Sequence, residues 1–266
     1  MKRVAPSRAA AWLGGSIGLL RTQALRLILI GLILQFLSGL GQAGVLGFLV
    51  VLAIPALSAG VLEALHMSAQ GLTPPVMTLF SAFQARRRLV RLFLLATIML
   101  FASLGVAGLV LSDSLQNVSP EWTAALERGD VAALVQSDPE LLQRIGLAAL
   151  GGLAVSGILG FFTIPLIWFH GLPLARALGA GLSALLVNLP AMLVMVLLMA
   201  SLAVPLVLLV SLLLSAGGST LVTLLMLLLA VAYQVIAFGV QLFAFGDVFG
   251  LSGGSAGPDS SDQLVA

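Results

Sequence analysis

Cysteine is absent from the 266 residues, and charge is nearly so: Lys, Arg, Asp and Glu together make up 8%. The first absence excludes disulfides, thiol catalysis, iron–sulfur clusters and cysteine-bound zinc. The second excludes a soluble surface, because soluble domains carry roughly 25% charged residues to stay wetted. Histidine occurs only as His66 and His170, at the ends of separate apolar segments, and two such residues make no metal site. No nucleophile–base pair or phosphate-binding glycine loop stands out either. The Gly151-Gly152 pair lies within apolar helix, where it cannot cradle phosphate. An enzyme is therefore not expected, nor a cofactor, nor nucleic acid among the partners.

What is present is hydrocarbon: 60% of the residues are hydrophobic, with a mean hydropathy of +1.17. A spanning helix needs about 20 mostly apolar residues. Apolar runs cover 25–41, 45–66, 89–112, 145–169, 189–214 and 219–245. The fold class expected is all-α: a polytopic membrane helix bundle of about six spans with short interfacial helices. Residues 1–24 read as an N-terminal segment with one interfacial helix, 25–250 as the transmembrane domain, and 251–266 as a disordered polar tail. The first run lacks a small-residue cleavage site and a second follows at once, so a signal peptide is not expected.

Charge is distributed unevenly. Lys2, Arg3, Arg8, Arg21 and Arg26 precede the first run, Arg86, Arg87, Arg88 and Arg91 the third, and Arg176 the fifth. The opposite face holds Arg128 and Arg144 among Asp113, Glu121, Glu127, Asp130, Asp138 and Glu140. Basic residues stay cytoplasmic, which predicts both termini inside and an external loop at 113–144. Arg86, Arg87, Arg88 and Arg91 are expected to meet anionic lipid headgroups, worth about 1 kcal/mol each near the surface. Within the external loop, Ser119-Pro120-Glu121 and Asp138-Pro139-Glu140 each combine a capping side chain, a first-turn proline and an acid. They predict two helix starts, the second running into span four. The loop is also a candidate surface for a protein partner.

Before each odd-numbered span lies a short stretch with helical apolar spacing: Trp12, Leu13, Ile17 and Leu20; Val76, Leu79, Phe80 and Phe83; Leu174, Leu178, Leu182 and Leu185. These read as helices lying in the headgroup region. Residues 12–27 overlay 177–192 with Gln23 on Asn188, and Pro55 and Pro165 recur inside spans two and four. A threefold repeat of interfacial helix, span and span is expected from this.

IPALSAG (54–60), LFSAF (79–83) and the series Pro165, Ala177, Ser183, Asn188 resemble a family of uncharacterised six-span bacterial inner-membrane proteins. Where that family has an acid after the glycine of the 67–75 connector, this chain has Leu72. The resemblance implies architecture and a bacterial cytoplasmic membrane, without an activity.

Ionisable groups within spans are functional candidates by default, since burying them costs several kcal/mol. Glu63 and His66 share a face of span two. They are candidates for a proton-linked pair, against the plainer reading of interfacial residues with Glu63 snorkelling or paired to Arg86, Arg87 or Arg88. Gln35 on span one and Gln234 and Gln241 on span six are candidates for a polar path. The alternative is hydrogen-bonded glue between helices, at roughly 0.6–2 kcal/mol each. Ala148, Gly152, Ser156 and Gly160 recur every fourth residue on span four. That ladder predicts a closely packed neighbouring helix. The whole favours a non-enzymatic scaffold or accessory subunit, with a small-molecule or lipid transporter as the alternative. Membrane lipids are the expected partners, with a protein docked on the external loop or the transmembrane faces.

Overall fold

The computed structural model describes residues 1–40, 44–115, 119–128, 138–215 and 220–251. Its helices, in chain order, are α1 (Arg8–Thr22), α2 (Ala24–Gly39) and α3 (Gly44–Ala69). A 3-10 helix (Val76–Phe80) then runs into α4 (Ser81–Gln84), followed by α5 (Arg86–Leu115) and α6 (Pro120–Arg128). The last five are α7 (Pro139–Gly160), α8 (Thr163–His170), α9 (Leu174–Val187), α10 (Leu189–Ser215) and α11 (Thr220–Phe249). No strand occurs among the described residues. Helices satisfy every backbone group internally, which hydrocarbon demands of a spanning segment. The chain is a polytopic all-α membrane bundle.

Five stretches are long and apolar enough to cross a bilayer: Gly47–Ala69, Arg86–Ser114, Pro139–His170, Leu189–Leu212 and Thr220–Phe249. They answer to the runs expected from 45 onward. The run at 25–41 differs. Its helix, α2, has 16 residues, about 24 Å at 1.5 Å per residue, and reaches a span's length only together with α1, from which it is bent by 102°. Most of the short gaps between the first two runs and between the last two, part of the 113–144 loop and the tail beyond 251 fall outside the described residues.

The structure divides into two compact units, Met1–Ala96 with Phe161–Ala266, and Thr97–Gly160. Three helix ends share one backbone feature. Three glycines have positive φ, Gly71 at 78°, Gly171 at 63° and Gly250 at 81°. Gly171 and Gly250 directly follow α8 and α11, and Gly71 follows α3 after Gln70, each at a left-handed C-terminal position that favours glycine. Leu72 N–H closes the first of these caps onto the Met67 carbonyl at 3.0 Å. Eleven residues upstream of each lies a second glycine: Gly60, Gly160 and Gly239. Pro55 and Pro165, expected as matching marks, do not match: they sit 16 residues before Gly71 and six before Gly171.

Short helices pack closely on longer ones through glycine. Gly60 of α3 abuts the backbone of Leu79, and Gly239 of α11 abuts Ser16 of α1. On α9, Gly181 abuts Thr163 and Phe162 at the start of α8. The buried faces of the short helices are consequently narrow. They are Ala9, Trp12 and Ser16 on α1; Thr78, Leu79 and Ala82 at 76–84; Ala177, Gly181 and Ala184 on α9. Leu174, Leu178, Leu182 and Leu185, the apolar stripe of α9, flank this face and are partly exposed. The reason is the solvent: lipid is as apolar as leucine, so helices associate through small residues that bring backbones close.

In the second unit the ladder on α7 behaves as its spacing predicts. Ala148, Gly152 and Gly160 are buried. Ser103 of α5 donates its hydroxyl to the Gly152 carbonyl at 2.9 Å and stands 2.9 Å from the Ser156 hydroxyl. A Cβ on Gly152 would lie 3.3 Å from Ser103 Cβ, whereas Leu153 is 70% exposed. Gly152→Leu is therefore expected to push α5 away and destabilise by about 1–3 kcal/mol, with Leu153→Ile near neutral. Thermal denaturation in mild detergent reads this, and equal tolerance at both positions defeats it. Both expected helix starts form: Ser119 Oγ accepts the Trp122 N–H at 3.1 Å, and Asp138 Oδ1 the Leu141 N–H at 2.8 Å.

Candidate functional site

The ends of α3, α8 and α11 meet in the first unit and carry most of its polar chemistry. Counting back from the three positive-φ glycines, equivalent positions fill the centre: Leu62, Phe162 and Gln241, then His66, Leu166 and Phe245. Aromatic edges seal this plug. Phe169 lies 5.3 Å from the His66 ring and 5.8 Å from Phe245, and Phe249 lies 5.5 Å from Phe162.

Glu63 sits one turn before His66 and is half-buried. Its Oε2 accepts the indole N–H of Trp168 at 2.9 Å. The guanidinium of Arg88 stacks over that same indole, 5.4 Å from its centroid, a geometry worth about 0.5–2 kcal/mol. Glu63 thus meets the arginine cluster through an intervening tryptophan. His66 is buried; its Nε2 lies 3.0 Å from Gln70 Nε2, and its Nδ1 has no partner. His170 caps the opposite side, its Nε2 3.1 Å from the Gly250 carbonyl.

Gln241 explains the break between α7 and α8. Pro165 has no N–H to offer the carbonyl four residues earlier, which is that of Phe161. Gln241 Nε2 supplies the missing donor, at 2.7 Å. One heptad away, Gln234 keeps a buried Oε1 without a partner, and Gln35 is half-buried on α2. The two glutamines of span six therefore part company: one is structural glue, the other an open acceptor.

Of the four clustered arginines, Arg86 and Arg87 are exposed and Arg88 lies on Trp168. Arg91 turns inward, where Nη1 donates to the Gly171 carbonyl at 2.6 Å. Sequence reasoning missed Asp247 altogether, because the sixth run was ended at 245 while α11 continues to Phe249. Asp247 accepts Arg8 Nε and Nη2 at 2.8 Å each and the Trp12 indole N–H at 2.7 Å. Asn188 acts alike: Oδ1 accepts the Val4 N–H at 2.8 Å, while Nδ2 donates to the Lys2 carbonyl at 3.3 Å. Gln23, its counterpart in the overlay, donates Nε2 to the Leu72 carbonyl at 2.9 Å. Only this last equivalence had a sequence signal, the amide side chain at the same place in two repeats.

Among the described residues no group of three His, Cys, Asp or Glu side chains converges as a metal site would require. What the arrangement does chemically is join segments, through neutral amides, indole N–H groups and two carboxylates. No family model, curated protein or solved structure matches the chain.

Proposed function

We propose that this chain is a non-enzymatic scaffold or accessory subunit of a bacterial inner membrane, with both termini cytoplasmic. One observation carries the reading. Several polar side chains of the helical core join distant segments: Gln241 on Phe161, Glu63 on Trp168, Asp247 on Arg8 and Trp12, Asn188 on residues 2 and 4. Around this core, side chains such as Phe36, Leu109, Leu197 and Leu221 face outward, where lipid tails or a partner's helices cover them. Arg86 and Arg87 are exposed and suited to anionic headgroups.

A second reading, transport, rests on the orphaned His66 Nδ1 and Gln234 Oε1, since unpaired buried polar groups mark pathways as well as strain. Two measurements separate the readings. Purification in mild detergent is expected to retain a stoichiometric protein partner. Proteoliposomes with an internal pH dye are expected to show no proton flux under an imposed potential, in wild type or in Glu63→Gln, which keeps an acceptor for Trp168 and removes the titration. A wild-type flux that Glu63→Gln abolishes overturns the scaffold. Orientation is tested separately with cysteines placed at Gln84 and Glu127. An impermeant thiol reagent is expected to label only Glu127→Cys in intact cells, and the reverse pattern inverts the topology.

A further inference from the structure

A proline inside a spanning helix withdraws one N–H and leaves the carbonyl four residues earlier without its helical donor. Hydrocarbon offers no substitute, so a neighbouring group has to. For Pro165 that group is Gln241, on the Phe161 carbonyl. Pro205 lies inside α10, which stays helical from Leu189 to Ser215, and it frees the carbonyl of Ser201. Ser201 is exposed, and its own hydroxyl is turned back on the Leu198 carbonyl at 2.8 Å. Among the described residues no side chain of another helix reaches the freed oxygen. Ser201 also stands at the middle of the crossing stretch Leu189–Leu212, farthest from the water at either interface.

Around it runs a face that the rest of the chain leaves uncovered. Leu197, Ser201, Val204, Leu208 and Ser211 recur at alternating intervals of four and three residues, and all are exposed. For Leu197, Val204 and Leu208 the exposures are 68%, 57% and 65%. This is the spacing of about 3.5 residues along which two helices wrap, with a small polar residue at its centre. Lipid tails cover the apolar side chains as well as another helix would. They cannot cover the carbonyl.

A second copy of this chain can. Ser201 holds a hydroxyl donor and a freed acceptor on one residue, so it is complementary to itself across a twofold axis. Copies inserted with the same charge asymmetry share one orientation, which sets their α10 helices parallel. We propose that α10 pairs with α10 of a second copy along Leu197, Ser201, Val204 and Leu208, each Ser201 hydroxyl donating to the carbonyl that Pro205 frees in the other. Turning the hydroxyl away from Leu198 strands nothing, since that carbonyl keeps the helical N–H of Leu202. The pairing requires only that α10 crosses the bilayer, and it holds for a scaffold or a transporter alike.

The cysteine-free chain makes the test direct. Single cysteines at Leu197 and Leu208 are expected to cross-link into dimers on mild oxidation in native membranes. One at Val196, 55% exposed but about 100° further around the helix, is expected to stay monomeric. Dimers formed as readily at Val196→Cys overturn the proposal, as do none at the other two positions or a cross-link to a different protein. Energy transfer between donor- and acceptor-labelled copies, followed as added lipid dilutes them in vesicles, reads the hydrogen bond itself. Ser201→Ala removes the donor, and Pro205→Ala returns a helical N–H to the acceptor. Each is expected to weaken association by about tenfold or more, and the double variant no further than either alone. Undiminished association in both single variants, or effects that multiply in the double, overturns the pairing through Ser201.

Discussion

Gly60→Ala is expected to destabilise the protein more than any other single methyl insertion, by about 3 kcal/mol, at or above the upper end of the usual overpacking range. The added Cβ would run into the carbonyl and Cα of Leu79. These are backbone atoms of a 3-10 helix hydrogen-bonded at its start, with Thr78 N–H on the Pro75 carbonyl at 3.0 Å, so no rotamer change relieves the clash. The whole 76–84 segment must move, and Leu79 and Ala82, both fully buried, lose their packing with it. Gly157→Ala is the control: it meets nothing within 4 Å, and replacing a helical glycine by alanine gains roughly 0.5–1 kcal/mol. Denaturant titration in mixed micelles, following tryptophan fluorescence, reads both. Indistinguishable midpoints would remove the claim that close approach at small residues holds the short helices.

Gln241→Leu is expected to destabilise by about 1–3 kcal/mol, because the Phe161 carbonyl is left buried without a donor. The diagnostic is its partner mutation. Pro165→Ala restores a backbone N–H that can donate to that same carbonyl by the ordinary helical i→i−4 bond. The double variant Gln241→Leu, Pro165→Ala is therefore expected to recover most of the loss, giving a coupling energy of roughly 0.5–3 kcal/mol in a double-mutant cycle. Strict additivity would show that Gln241 holds α11 by packing alone and that the break after α7 has another cause.

Several features were legible from local chemistry. The helix starts at Ser119 and Asp138 follow from capping, which acts within three residues. The ladder at Ala148, Gly152, Ser156 and Gly160 follows from spacing along one helix. The long spans follow from hydropathy, and the overlay of Gln23 on Asn188 located two junctions where a short helix gives way to a long one. The apolar stripes of the short helices did not say which of their residues pack on a neighbouring helix. In water the larger apolar face is the buried one, whereas in lipid that preference vanishes and closeness of approach decides. The site suffered from a different limit: Trp168 and Glu63 lie 105 positions apart, and Trp12 and Asp247 lie 235 apart, so no spacing rule joins them.

The sequence by itself determined that this chain is helical, polytopic and asymmetric in charge, because hydropathy, backbone satisfaction in hydrocarbon and the placement of arginine are properties of segments taken one at a time. Only the tertiary structure decided that Pro165 is answered by Gln241, that Arg88 reaches Glu63 through Trp168, and that Lys2 and Val4 bond to Val248 and Asn188. These depend on which distant segments become neighbours. In a bilayer that choice turns on a glycine's missing Cβ and a few hydrogen bonds between helices, whereas the larger apolar pattern is satisfied equally well by lipid.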